Sequence, residues 1–167
     1  MHISKAIDKI SEWTGEFSAW LVIPLVAVVL IDVIDRHVFN SPTMWGYDTL
    51  WMLYSAQFMI GGAFTLLRGG HIRIDIVYGM LSDHQKKFYD LINCVVIILP
   101  PAILLTWAGY GFAADAWASG EKLSTTNWFF PAGPSKTIIP IGFFLLALQC
   151  VSEILKNFNE LKNGGEK

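Results

Sequence analysis

Two stretches gather most of the side chains that could do chemistry. Arg68 to Asp75, RGGHIRID, sets four potentially charged groups and two glycines directly after about twenty mostly apolar residues. Asp32 to Asn40, DVIDRHVFN, closes an earlier apolar run. In the second stretch Asp32 and Arg36 stand four apart, the spacing of a favourably oriented helical ion pair. Asp35 lies beside them. The possible chemistry is a proton or ion site within a membrane, whereas a pair that anchors a helix end near water is the simpler reading, because Arg36 can neutralise Asp32. Haem ligation would need histidines facing each other at depth, and His2, His37, His71 and His84 do not meet that condition. Cys94 and Cys150 sit singly in apolar runs and lack metal or redox spacing, which leaves them as small buried hydrophobes. The segment GYGFAA, Gly109 to Ala114, imitates part of a dinucleotide fingerprint, but no strand precedes it. Its glycines, like Gly61 and Gly62, suit close helix packing. There is no P-loop and no nucleophile constellation, so the sequence points away from an enzyme.

The elements that position these groups follow from composition. Of 167 residues 53% are hydrophobic and 16% charged, against roughly 25% charged in a typical soluble domain. Lipid is the implied solvent. No linker, repeat or low-complexity tract divides the chain, and no basic patch interleaved with aromatics offers a nucleic-acid surface. The expected fold is an all-α integral membrane domain, residues 1–167, with four transmembrane helices at about 17–36, 48–67, 91–114 and 138–155. Pro24, Pro100 with Pro101, and Pro140 should kink these helices without ending them. The first span is too long and too poor in a small-residue cleavage pattern for a signal peptide, so it should stay as an anchor.

Cations set the orientation. With the N-terminus inside, one side carries Lys5, Lys9, Arg68, Arg73, Lys86, Lys87, Lys156, Lys162 and Lys167, and the other only Arg36, Lys122 and Lys136. Both termini are therefore expected in the cytoplasm. RGGHIRID then opens the loop between spans two and three: Gly69 and Gly70 stop a helix, Arg68 complements its dipole, and an amphipathic segment at about 72–81 lies in the interface. Ser82 with Gln85 forms an N-terminal capping box. Residues 3–14 read as a second interfacial segment, with Ile3, Ile7, Ile10 and Trp13 on one face and Lys5, Asp8, Lys9 and Glu12 on the other. At depth the spans offer only Ser55, Gln57, Thr65, Thr106 and Gln149; for Gln57 and Gln149 interhelical hydrogen bonding is the simpler reading and a pathway lining the alternative. Glu153 lies within reach of Lys156.

In their order and spacing these features resemble the small membrane subunit of tripartite ATP-independent periplasmic (TRAP) transporters: RHVFN at 36–40, Trp45 and Asp48, the second span, GGHIRID at 69–75, then WFFPAGPSK before a final span ending LLALQCVSEI. The resemblance covers nearly the whole chain. One departure is Asp48, where the family commonly has glutamate. What the resemblance implies is a scaffold-forming subunit of a sodium-coupled uptake system for organic anions such as carboxylates or sulfonates. Its partners would be a large elevator-type membrane subunit in a heterodimer, a transient periplasmic solute-binding protein and membrane phospholipids. Na⁺ would belong to the large subunit, and this chain would carry no cofactor. Residues at the scaffold, partner or lipid interface would be Arg36, Trp45, Asp48, Arg68, His71, Arg73, Asp75, Trp128 and Lys136, with Trp45, Asp48, Trp128 and Lys136 on the outer surface. The location would be a bacterial inner membrane. The rival readings are a self-sufficient small oligomeric transporter, which calls for a mid-span acid, a membrane anchor of a redox enzyme, which calls for depth-matched histidines, and an intramembrane enzyme.

Overall fold

The structure is a computed structural model that describes residues 2–41, 43–70, 79 and 82–163. The described residues are helical apart from turns and one isolated bridge between Lys122 and Pro131. In chain order the helices are α1 (His2–Trp20), α2 (Val22–His37), α3 (Gly46–Leu67), α4 (Asp83–Ile92), α5 (Leu99–Ser119) and α6 (Ala132–Asn163). A π-helical stretch, Asn93–Ile98, joins α4 to α5. Four helical runs are long and apolar enough to cross a membrane: Ile3–His37, Gly46–Leu67, Gln85–Ser119 and Ala132–Leu161. α6 is the hub. It packs on α5, α3, α1 and α4, while α2 leans mainly on α3.

Lipid inverts the usual rule for what is buried. Large apolar side chains such as Trp20, Trp107, Tyr110 and Phe58 point outward. The most buried hydrophobic residues are instead small, with Ala63, Ala102, Ala113, Ala116 and Ala132 all within the packed interior. Because hydrocarbon solvates Leu or Trp as well as a protein interior does, close backbone approach is what holds such helices together. Gly142 shows the principle: a Cβ there would stand 2.7 Å from Met59 Cβ and 2.8 Å from the Met59 carbonyl oxygen. A Cβ on Gly109 would stand 3.2 Å from side-chain carbons of both Ile139 and Pro140 of α6. Gly61 meets the Ser18 hydroxyl, but a Cβ on Gly62 or Gly111 would meet nothing within 4 Å, so only some of the glycines named in the sequence do packing work.

The helix ends follow local chemistry. α3 stops in a Schellman arrangement: Gly69 adopts φ +68°, its N–H donates to the Leu66 carbonyl, and the Gly70 N–H donates to that of Thr65. α4 starts with the reciprocal cap, Gln85 N–H to Ser82 Oγ and Ser82 N–H to Gln85 Oε1. Pro24, Pro100, Pro101 and Pro140 lie inside continuing helical runs. Pro24 follows the Leu21 turn between α1 and α2, and Pro100 and Pro101 follow the π stretch, whose widened turn absorbs the hydrogen bonds that a proline pair cannot make. His71, Arg73, Asp75 and the segment 72–81, Gly79 apart, lie outside the described residues.

Candidate functional site: polar seams at the two ends of the bundle

At the end that bears both termini, α1 and α6 are joined by a polar seam. Ser4, Asp8 and Ser11 share one face of α1 at helical spacing, as do Gln149, Ser152, Glu153 and Lys156 on α6. The Ser11 hydroxyl donates to Gln149 Oε1 at 2.7 Å, and Gln149 Nε2 donates to Asp8 at 3.0 Å and to Glu153 at 2.9 Å. Ser152 donates to Asp8 at 2.8 Å and to the Ser4 carbonyl at 3.3 Å. Lys156 binds Asp8 and Glu153, each at 2.8 Å. Gln149 thereby uses its carbonyl oxygen and both N–H bonds, so the buried amide is fully paired. This arrangement clamps two helices; every polar group in it already has a protein partner. Further out at the same end, Arg68 pairs with Glu12 at 3.2 Å and covers the Phe64 ring, and Lys87 pairs with Glu160 at 2.8 Å.

The seam revises one sequence reading. Asp8, grouped there with Lys5, Lys9 and Glu12 on the polar face of α1, turns inward, and Ile3, Trp13, Phe17 and Trp20 face outward. The buried stripe is Ser4, Ser11 and Ser18, seven residues apart, with Gly15 pressed against Phe64. Its signal was present in the sequence as a heptad of small residues, a pattern that matters more in lipid than in water.

At the opposite end two carboxylates hold the loops. Asp32 receives Arg36 at 2.9 Å, as its spacing predicts, and also the Thr43 hydroxyl. Asp48, in the first turn of α3, receives the hydroxyls of Thr125 and Thr126. The loop that supplies those threonines leaves α5 at Gly120, φ +64°, and folds back through Leu123 N–H to the Phe130 carbonyl at 2.7 Å and Ala132 N–H to the Glu121 carbonyl at 2.8 Å. Lys136 closes it, 2.6 Å from Glu121 and 3.8 Å from the centre of the Phe112 ring. Trp117 donates to Thr137 at 3.0 Å, and its indole leaves no room for a Cβ on Gly133.

The residues singled out in the sequence thus scatter. Arg36, Trp45, Asp48, Trp128 and Lys136 gather at this end and Arg68 stands at the other. Trp128 is exposed and stacks on Phe130, with ring centres 4.6 Å apart, and Trp45 is half-buried. Asp48, counted among surface residues, is only 2% exposed. Sequence reasoning missed Thr43, Thr125 and Thr126, hydroxyls in loops whose partners lie 11, 77 and 78 residues away. Cys94 and Cys150 are buried neighbours, the Cys150 thiol donating to the Cys94 carbonyl at 3.1 Å. Among the described residues no three His, Cys, Asp or Glu side chains assemble into a metal-binding group.

Comparison with known proteins agrees with this architecture. Residues 25–160 match the family model described as tripartite ATP-independent periplasmic transporters, DctQ component. The sialic acid TRAP transporter permease protein SiaT of Haemophilus influenzae (strain 86-028NP) is 24% identical over 149 residues, which cover 86% of this chain and 23% of that protein. The C4-dicarboxylate TRAP transporter small permease protein DctQ of Vibrio cholerae (serotype O1, strain ATCC 39315 / El Tor Inaba N16961) is 20% identical over 109 residues, 63% of this chain and 47% of that protein. The chain therefore spans less than half the length of either relative. A four-run, all-helical bundle whose large apolar side chains face outward, matched along most of its length by one family model, is a multi-pass protein of the bacterial inner membrane and a transporter component, not an enzyme: the chain belongs to the DctQ component family of the tripartite ATP-independent periplasmic transporters.

Proposed function

We propose that this chain is the scaffold-forming small permease subunit of a sodium-coupled uptake system for organic anions, carboxylates or sulfonates, delivered by a periplasmic binding protein. It forms a heterodimer with a large elevator-type membrane subunit, which carries the substrate and Na⁺ sites, and both of its own termini are cytoplasmic. The observation that carries this reading is the clamp between α1 and α6: Asp8, Ser11, Gln149, Ser152 and Lys156 satisfy one another, and Gly142 rests on the Met59 backbone. Such a body is built to stay rigid while something else moves. The SiaT relative supports a one-to-one pairing, because its matching segment is 23% of a single longer permease chain. Sialic acid and C4-dicarboxylates, named for the two relatives, are both organic anions. The test is reconstitution in liposomes. Uptake of a labelled organic anion should need the large subunit, the binding protein and an inward Na⁺ gradient together with this chain; uptake catalysed by this chain alone would overturn the proposal.

A further inference from the structure

The acids at the Asp48 end are not equivalent. Asp32 is neutralised by Arg36 and Glu121 by Lys136, but Asp48, the most buried of them, has no ion pair among the described residues. Its threonine hydroxyls and the positive end of α3 supply partial charge only, about half an elementary charge from the helix. Beside it is a pocket of about 210 Å³ lined by Asp48, Thr125, Ser55, Ser135, Tyr47 and Trp51. Ser135 Oγ is the one fully shielded side-chain oxygen or nitrogen without a hydrogen-bond partner among the described residues. A buried carboxylate, free hydroxyl lone pairs and two aromatic rings, 6.1 Å apart at 65°, together fit an ammonium or guanidinium head. A bare metal ion would have no use for the rings.

The surface leading from the pocket indicates who supplies that cation. Tyr47, Trp51, Tyr54 and Phe58 form a stripe along α3, each more than half exposed, with consecutive ring centres 6.1, 6.1 and 6.4 Å apart. Tyr54 lies two turns inside this apolar helix, and its hydroxyl has no partner among the described residues. Hydrocarbon would leave that hydroxyl unpaired, whereas a neighbouring protein helix can receive it. We infer that the stripe is a track for a helix of the large membrane subunit and that a lysine or arginine of that subunit enters the Asp48 pocket. The inference rests on the partnership proposed above and names the chemistry of its contact.

Thiol labelling of a Ser55→Cys chain, a half-buried position that lines the pocket, tests it, with the wild-type chain, whose two thiols are buried, as the blank. In the purified subunit, methanethiosulfonate ethylammonium should label the Ser55→Cys chain about tenfold or more faster than the anionic ethylsulfonate reagent. Adding Asp48→Asn should abolish that preference. Co-purification with the large subunit should block labelling, and Asp48→Lys should reduce the co-purified large subunit by about tenfold or more, with recovery when one of its basic residues is changed to glutamate. Trp107→Ala, on the outer face of α5, should change neither readout. No charge preference would overturn the cation pocket. Protection by lipid nanodiscs alone would assign the occupant to lipid and overturn the partner track. Full labelling within an intact complex would sink the inference and leave the proposed function standing, whereas failure to form any complex would sink the proposed function itself.

Discussion

Asp8 and Asp48 are both carboxylates inside a helical membrane chain, and they are satisfied in different ways. Asp8 keeps some solvent contact, its side chain 25% exposed, and has a lysine, an amide and a hydroxyl around it from α6. Asp48 is almost fully buried and has two hydroxyls from one loop. The first carboxylate is complete within this chain; the second is hydrogen-bonded but still short of charge. The difference separates a part of the molecule that holds itself together from a part that waits for another.

That contrast can be broken or sharpened by substitution. Gln149→Leu should cost the isolated subunit about 3 kcal/mol, since it orphans the buried Ser11 hydroxyl and removes a donor from two acids. Equilibrium unfolding in mixed detergent micelles measures this, and an unchanged midpoint would mean that the seam is ornamental. Gly142→Ala should cost about 2 kcal/mol in the same assay, because the added Cβ meets the Met59 backbone, which cannot swing aside. Lys156→Met should cost about 1 kcal/mol: it leaves Asp8 and Glu153 facing each other, yet the group is 29% exposed and water softens the loss. Arg36→Gln should leave the melting temperature of the subunit unchanged, because its pair with Asp32 lies at the exposed surface and Thr43 remains. If Arg36 proved as costly as Gln149, the distinction between a self-sufficient end and an unfinished end would fail.

Local chemistry was legible in the sequence and distant pairing was not. The Gly69 and Gly70 stop, the Ser82 and Gln85 cap and the Asp32 to Arg36 pair involve residues within five positions of one another, so spacing alone carries them. Four apolar runs of spanning length were equally plain. The face of α1 was not, because a charge-and-grease pattern assumes water on one side, and the buried serines at 4, 11 and 18 look neutral under that assumption. The threonines that hold Asp48 are separated from it by two helical runs, and no local rule connects them. His71, Arg73 and Asp75 fall outside the described residues, so their roles rest on the sequence.

The π-helical stretch Asn93–Ile98 sets the rotational phase of everything after it. One additional residue in a turn advances each later side chain by about 100° around the helix axis. The stripe Ala102, Gly109, Ala113 and Ala116 meets its neighbours with that offset included. A single-residue deletion between 93 and 98 that regularised the turn would therefore swing bulky groups into the α5 to α6 contact and carry Gly109 off Pro140. For this helix, the damaging change is one of length, and a substitution that preserves the count is the milder event.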